Sequence, residues 1–158
     1  MNKSALIVLA ILGSGLVAGV FFAFSTFIMA ALARLPTAQG IVAMQSINIT
    51  VITPVFMVVL FGTAILAGYL AYFSFNDVGI PGNFWILMGS LAYMCSILIT
   101  LILNVPLKDA LAALDPAGHD AARFWNNFIE KWTNYNHLRS CATLAACACF
   151  SWSLLLVD

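Results

Sequence analysis

Between Leu35 and Asn76, and again between Val78 and Leu107, the chain carries no charged residue, and its closing run CATLAACACFSWSLLLV carries none either. Uncharged stretches of this length cannot coat a water-soluble surface. In a bilayer every backbone N–H and C=O must be satisfied within the protein, which leaves helices or closed barrels. The hydrocarbon core is about 30 Å thick and takes about 20 helical residues, and the runs here reach that length. Composition agrees: 63% of residues are hydrophobic, 8% are charged, and the mean hydropathy is +1.04. The net charge is zero, so no basic patch points to nucleic acid. The reading is an all-α integral membrane protein, one domain over residues 1–158.

Four spans are predicted, at about 5–32, 50–73, 84–103 and 139–157, giving a four-helix transmembrane bundle. Lys3 followed by an apolar run faintly resembles a secretory signal, but the run is too long for one and reads as a retained first span. No prenylation box or other lipid anchor is expected. Pro36 and Thr37 mark a helix entry, and Pro54 is expected to kink a continuous second helix rather than end it. SFNDVGIPGN reads as a short turn. In the long connection, about 104–138, Asp115 and Pro116 read as an N-cap and first helical residue. The helix they open would be amphipathic and interfacial. Ala117, Ala121, Phe124, Trp125, Phe128 and Trp132 fall on one face, and His119, Arg123, Asn126, Asn127 and Glu130 on the other. Tyr69, Tyr72, Trp85 and Trp152 belong to one interfacial belt, and Trp125, Trp132 and Tyr135 to the opposite one. Gly15-x-x-x-Gly19 offers a face for close helix approach and for an oligomer.

Polar residues within the spans converge at one depth. Tyr93, Ser96, Thr100 and Asn104 share a face of the third span. Asn136, Ser140 and Thr143 form a stripe on the fourth, with Arg139 beside it. Gln45 and Asn48 lie one turn apart at the entrance of the second, and Ser25 and Thr26 come late in the first. With alternating spans, all of these fall near the membrane face that carries the long connection. An amide unsatisfied in hydrocarbon costs several kcal/mol, so such groups face a partner or a cavity. For one residue, interhelical bonding or snorkelling is explanation enough. For the set, a small-molecule pocket is the better reading.

Other chemistries fit less well. Cys95, Cys141, Cys147 and Cys149 contain no C-x-x-C pair, and Cys147 and Cys149 point to nearly opposite sides of a helix. They read as packing residues. His119 and His137 are the only imidazoles and lie on separate elements, so neither a metal nor a haem site is expected. His119 reads as solvated, and His137 as an interfacial anchor or an acid/base group. No span holds a carboxylate, which argues against proton-coupled transport.

The stretches GLVAGVFFAFSTFIMAALARLP, GIVAMQSIN, NVPLKDAL and FWNNFIEKWTNYNHLRS, in this order, resemble the anthrone oxygenase-like family of small integral membrane proteins. Asn-x-Pro after the third span, followed by W…W…N-x-x-R entering the fourth, carries most of that resemblance. The family's pattern falls on Gln45, Asn48, Asn104, Pro106, Trp125, Trp132, Asn136 and Arg139. Lys108 stands where a second asparagine is usual. The resemblance implies a bacterial plasma-membrane enzyme that oxidises a lipophilic anthrone-like aromatic with dioxygen and without a cofactor. His137 would be the base, with Asp109 second. Asn104, Asn136 and Arg139 would hold the oxyanion. Gln45, Asn48, Tyr93, Thr100, Trp125 and Trp132 would line the substrate slot. The competing class is a non-enzymatic bundle that binds a quinone or lipid, or an accessory subunit of a membrane complex.

Arg34, Lys108, Arg123, Lys131 and Arg139 lie on the side of the long connection, against Lys3 on the other, so that connection is predicted to be cytoplasmic. In intact cells an impermeant thiol reagent should label Asn76→Cys and leave Gly118→Cys unlabelled. Labelling at 118 alone would reverse the orientation.

Overall fold

Helix is the only regular structure among residues 2–156, which the computed structural model describes. Five helices follow one another. They are α1 (Lys3–Leu32), α2 (Thr37–Thr50), α3 (Pro54–Phe75), α4 (Asn83–Ala112) and α5 (Ala121–Leu154). Of these, α1, α3 and α4 are long and apolar enough to cross a membrane. Their outward side chains are themselves apolar: Val55 is 76% exposed and Ile65 75%. That is a surface suited to lipid rather than water.

Local sequence explains the boundaries. Thr53 is extended, and its Oγ1 accepts from the Phe56 N–H at 3.2 Å, with Pro54 as the first helical residue. Pro54 therefore starts α3 instead of kinking a longer helix, and the predicted second span of 50–73 becomes a break at 51–53 followed by Pro54–Phe75. The turn into α4 contains Gly82 at φ 87°, which glycine adopts without strain. The predicted third span of 84–103 runs on to Ala112. Pro106 would clash with the carbonyl of Ile102, and that carbonyl falls in a wider π-helical turn at Thr100–Asn104. A second π-helical turn, Phe24–Ile28, lies in α1.

The expected interfacial helix and fourth span are a single helix. Asp115 does not cap it: its Oδ1 accepts from the Ala117 N–H at 3.0 Å in a local turn, and α5 begins at Ala121. From there to Leu154 no glycine or proline interrupts the helix. At 1.5 Å per residue its 34 residues are about 51 Å long. Within α5 the amphipathic faces are as expected, with Trp125, Phe128 and Trp132 buried and Arg123, Asn126 and Asn127 exposed, whereas Ala117 and His119, assigned to those faces, precede the helix and Ala117 is exposed. The predicted fourth span is the C-terminal part of α5. It carries Arg139 and several serines among its apolar residues, with His137 just before it, and α5 is not one of the three long apolar helices. Its last predicted residue, 157, lies outside the described residues.

Helix α5 packs against α1 and α4, and α3 closes the ring by packing against the same two. One core, with Ile7, Val17, Leu60, Ile86, Tyr93 and Phe150, fills the ring. A second, with Met29, Met44, Leu111, Trp125, Phe128 and Trp132, lies where α2 covers the other end. Trp85 and Trp152, assigned to one belt, are in edge contact at 6.2 Å between centroids. At that same end Lys3 Nζ donates to Asn83 Oδ1. The four cysteines are unpaired thiols.

Close helix approach occurs at glycines other than the predicted pair. A Cβ at Gly15 would make ordinary contact with Cys147 Sγ at 3.7 Å, and one at Gly19 would meet nothing within 4 Å. At Gly89 it would lie 3.0 Å from two Phe150 ring carbons and 3.1 Å from the Ala146 carbonyl oxygen, so α4 and α5 meet there without room for a methyl group. Gly89→Ala should therefore destabilise the protein by roughly 1–3 kcal/mol, as overpacking does. Gly19→Ala should leave it unchanged or slightly more stable. Thermal unfolding in detergent, read by circular dichroism, separates the two.

Candidate functional site

Where α5 passes from one core to the other, polar side chains from three helices meet. Asn136 is fully buried on α5. Its Nδ2 donates to the Phe21 carbonyl at 2.7 Å and to Ser25 Oγ at 2.6 Å, both on α1. Its Oδ1 accepts from Arg139 Nε at 2.8 Å. Ser25 Oγ also lies 3.0 Å from Ser140 Oγ. Ser140 donates to the Asn136 carbonyl at 2.7 Å, and Thr143 donates to the Arg139 carbonyl at 2.9 Å. The π-helical turn of α1 opens just past Phe21, beside this network.

Arg139 is 7% exposed. Its guanidinium carbon sits 4.0 Å above the Phe21 ring and 5.0 Å from the Trp132 ring. A cation over an aromatic face is favoured by the ring quadrupole, more so when desolvated. Nη1 makes a long contact, 3.5 Å, to Thr100 Oγ1 in the π-helical turn of α4. At the end of that turn Asn104 Nδ2 donates to the Trp132 carbonyl at 3.3 Å, while its buried Oδ1 has no partner.

These side chains border a cavity of about 190 Å³, more than ten times the roughly 10–15 Å³ that admits one water. Phe21 and Phe24 of α1, Phe56, Leu60 and Phe61 of α3, and Leu101 of α4 form apolar walls. Asn48, Thr100, Asn104, Lys108 and Arg139 supply the polar groups, and Trp132 lies edge-on to Phe24 at 5.4 Å. Asn48 Nδ2 is buried without a partner. Asn48, Ile52 and Lys108 also line an open cleft with Gln45, Ile49 and Ala112, so the cavity and that cleft adjoin. A few convergent polar groups in an apolar concavity are what a small-molecule site needs. This one offers donors from Arg139 and Asn48 and an acceptor from Asn104.

Among the residues expected at the site, Asn48, Thr100, Asn104, Trp132 and Arg139 border the cavity. Asn136 lies behind it as the support of Arg139. Gln45 lines the outer cleft, and its Nε2 donates to the Leu111 and Leu114 carbonyls at 2.9 and 3.1 Å, finishing the C-terminus of α4. Tyr93 is buried between α4 and α3, where its hydroxyl donates to the Leu60 carbonyl at 3.0 Å. Trp125 stacks on Phe128 in the second core. Neither Tyr93 nor Trp125 lines the cavity. His137 is exposed and not among its lining residues, because it stands two positions from Arg139 on the helix and points away. Asp109 is exposed as well, and pairs with Lys108 at 3.1 Å. The aromatic walls had no polar marker in the sequence, and Ser25 was visible only as a late polar residue of the first span. Among the described residues, no three His, Cys, Asp or Glu side chains come together.

Asn136→Leu removes one bond to Arg139 and two to α1, and strands the partners in a dry interior. Unsatisfied buried groups cost about 1–3 kcal/mol each. The variant should therefore lose roughly 2–4 kcal/mol of stability, whereas Asn104→Leu, which breaks one long bond, should lose less than about 2 kcal/mol. Unfolding midpoints in a common detergent compare them.

Over residues 54–149 the sequence matches the family described as anthrone oxygenase. No curated protein and no solved structure matches the chain. The matched stretch includes α3, α4 and most of α5, and with them every cavity residue except those from α1 and the 47–52 segment. It spans more than half of the 158 residues, and the chain belongs to the anthrone oxygenase family.

Proposed function

We propose that this membrane protein is an oxygenase that oxidises a lipophilic, anthrone-like aromatic with dioxygen, the substrate itself supplying the electrons. The cavity carries the reading: an aromatic-walled slot whose polar edge holds Arg139, Thr100, Asn104 and Asn48. Family membership supports the same class of chemistry. In this reading α1, α3, α4 and the apolar part of α5 are four spans of a bundle. Helix α5, at about 51 Å, outruns a hydrocarbon core of about 30 Å, which leaves its amphipathic first half at the membrane face under α2. The site then lies just inside that face.

The chemistry asks little of a cofactor. An anthrone loses a proton from the carbon opposite its carbonyl, and the charge moves onto the oxygen. That anion gives one electron to dioxygen. The resulting radical and superoxide join as a peroxide anion at the carbon, which takes back a proton and, as the hydroperoxide, expels water to leave the quinone. One dioxygen is consumed, with one atom retained in the quinone and one released as water. The protein positions the flat ring between apolar walls, excludes water and places donors at the oxygen where charge accumulates. Arg139 and Asn48 are those donors. Lys108 marks the mouth, on the side of the open cleft.

Purified protein in detergent should show anthrone-dependent oxygen uptake and quinone formation above protein-free micelles, and the activity should survive chelation. One such donor is typically worth about a hundred- to a thousand-fold in rate. Arg139→Met should lower uptake by about that factor, and Asn48→Leu by tenfold or more. Uptake no greater than in empty micelles, or uptake abolished by a chelator, would defeat the proposal. Full turnover in the Arg139 variant would remove that residue from the mechanism.

A further inference from the structure

The cavity is electrostatically one-sided. Arg139 forms no ion pair among the described residues, and all of its contacts are neutral: the Asn136 carboxamide, the Thr100 hydroxyl and two aromatic faces. A guanidinium does not shed its proton to escape burial. The other cation, Lys108, stands at the mouth and is already balanced by Asp109. Among the described residues, no carboxylate and no imidazole lines the cavity. The surrounding helices bring none toward the guanidinium either. Helix α1 presents Phe21 and Ser25, α3 presents Phe56, Met57 and Leu60, and α5 adds only Trp132 and Asn136. From α4 come Thr100 and, farther out, Lys108. Of the other titratable side chains of α4, Tyr93 is committed to the Leu60 carbonyl outside the cavity lining, and Cys95 and Asp109 are exposed and do not line it. Asn48 Nδ2 adds a buried donor that no protein group uses.

Two needs are thus left unmet: a buried cation lacks a counter-ion, and the proposed reaction lacks a protein base. We infer that the cavity takes its ligand as a preformed aromatic oxyanion, a phenolate or enolate, with Arg139 as its counter-ion. The proton is lost to solvent before or during entry, through the cleft that shares Asn48, Ile52 and Lys108 with the cavity. The inference rests on the proposed function for the aromatic nature of the ligand, but it concerns binding and needs no turnover. Two effects oppose each other. Desolvation disfavours the bound anion, and a cation within about 4–6 Å favours it by about 1–3 pH units. The fold has already desolvated Arg139, so the ligand's arrival restores to the guanidinium a partner that folding removed. The balance therefore falls to the anion.

The probe is 2-hydroxyanthraquinone, a phenol that cannot undergo the anthrone reaction and whose anion absorbs at longer wavelength. Its absorbance is followed against pH in detergent, with and without full-length protein. Bound to the wild-type protein, it should ionise at least about one pH unit below its value in empty micelles, a tenfold or greater preference for the anion. Arg139→Lys should keep part of that shift, and Arg139→Met should lose it. Ionisation at the same or higher pH in the wild-type protein would overturn the inference whatever the variants do. So would displacement of the bound probe by phosphatidylglycerol at comparable mole fraction, which would give the guanidinium to lipid phosphate. The oxygenase reading stands or falls separately. The shift without oxygen uptake defeats that reading alone, and oxygen uptake without the shift defeats this one alone.

Discussion

The carboxamide of Asn136 holds the polar interior together. Both of its amide hydrogens go to α1, and its oxygen goes to Arg139 on its own helix. A leucine there would pack in the same space and satisfy none of these groups. Because Nε of Arg139 is fixed, the rest of the guanidinium is aimed between Phe21 and Trp132 at the cavity rather than free to snorkel toward water. The amide also closes a chain through Ser25, Ser140 and the backbone of α5. Chains of this kind strengthen in a low dielectric when every member is satisfied. The positioning of the cavity's charge thus depends on a residue that does not itself border the cavity.

The cavity exists because regular helices are interrupted at that level. The π-helical turns at Phe24–Ile28 and Thr100–Asn104 lie on the two helices that flank α5. Each places residues on the cavity: Phe24 in one case, Thr100, Leu101 and Asn104 in the other. The break at 51–53 between α2 and α3 contributes Val51 and Ile52 to the same wall. Extra residues per turn and a chain break both disturb the close packing of neighbouring helices. Away from that level the ring is tight enough that Gly89 has no room for a methyl group.

Much of this was legible in the sequence. The spacing of Thr100 and Asn104, and of Asn136, Ser140 and Thr143, put polar groups on single faces at one depth, and the structure brings three helices together there. The absence of glycine and proline between Ala121 and Leu154 already implied one helix, although the change from amphipathic to apolar character suggests two. The rule that separates Cys147 from Cys149 also separates His137 from Arg139, since positions two apart differ by about 200° around a helix. Applied there, it places only one of them at the cavity. The π-helical turns left no such trace, because they depend on how α1 and α4 accommodate their neighbours. Pro106 marks one of them only in hindsight, and nothing comparable marks Phe24–Ile28. Gln45 shows a different ambiguity. An amide near a cavity and an amide that finishes a neighbouring helix look alike in sequence, and its bonds to Leu111 and Leu114 assign it to the second.

A cavity with an unpaired cation also has a consequence for turnover. Interactions that hold substrate and transition state equally do not speed the chemical step, and a counter-ion for a bound anion is partly of that kind. In the proposed reaction, however, oxidation would change the ligand's charge. An anion bound against Arg139 would become a neutral quinone once its electrons had passed to dioxygen, a proton had been taken back and water had left. The attraction that would select the substrate would then be absent for the product, while the apolar walls would bind both. Product would therefore leave toward the bilayer, through the side of the cavity where Phe61 and Leu101 are exposed, and the guanidinium would again lack a partner. A histidine or carboxylate beside Arg139 would supply the missing base, but it would also change the charge that distinguishes substrate from product.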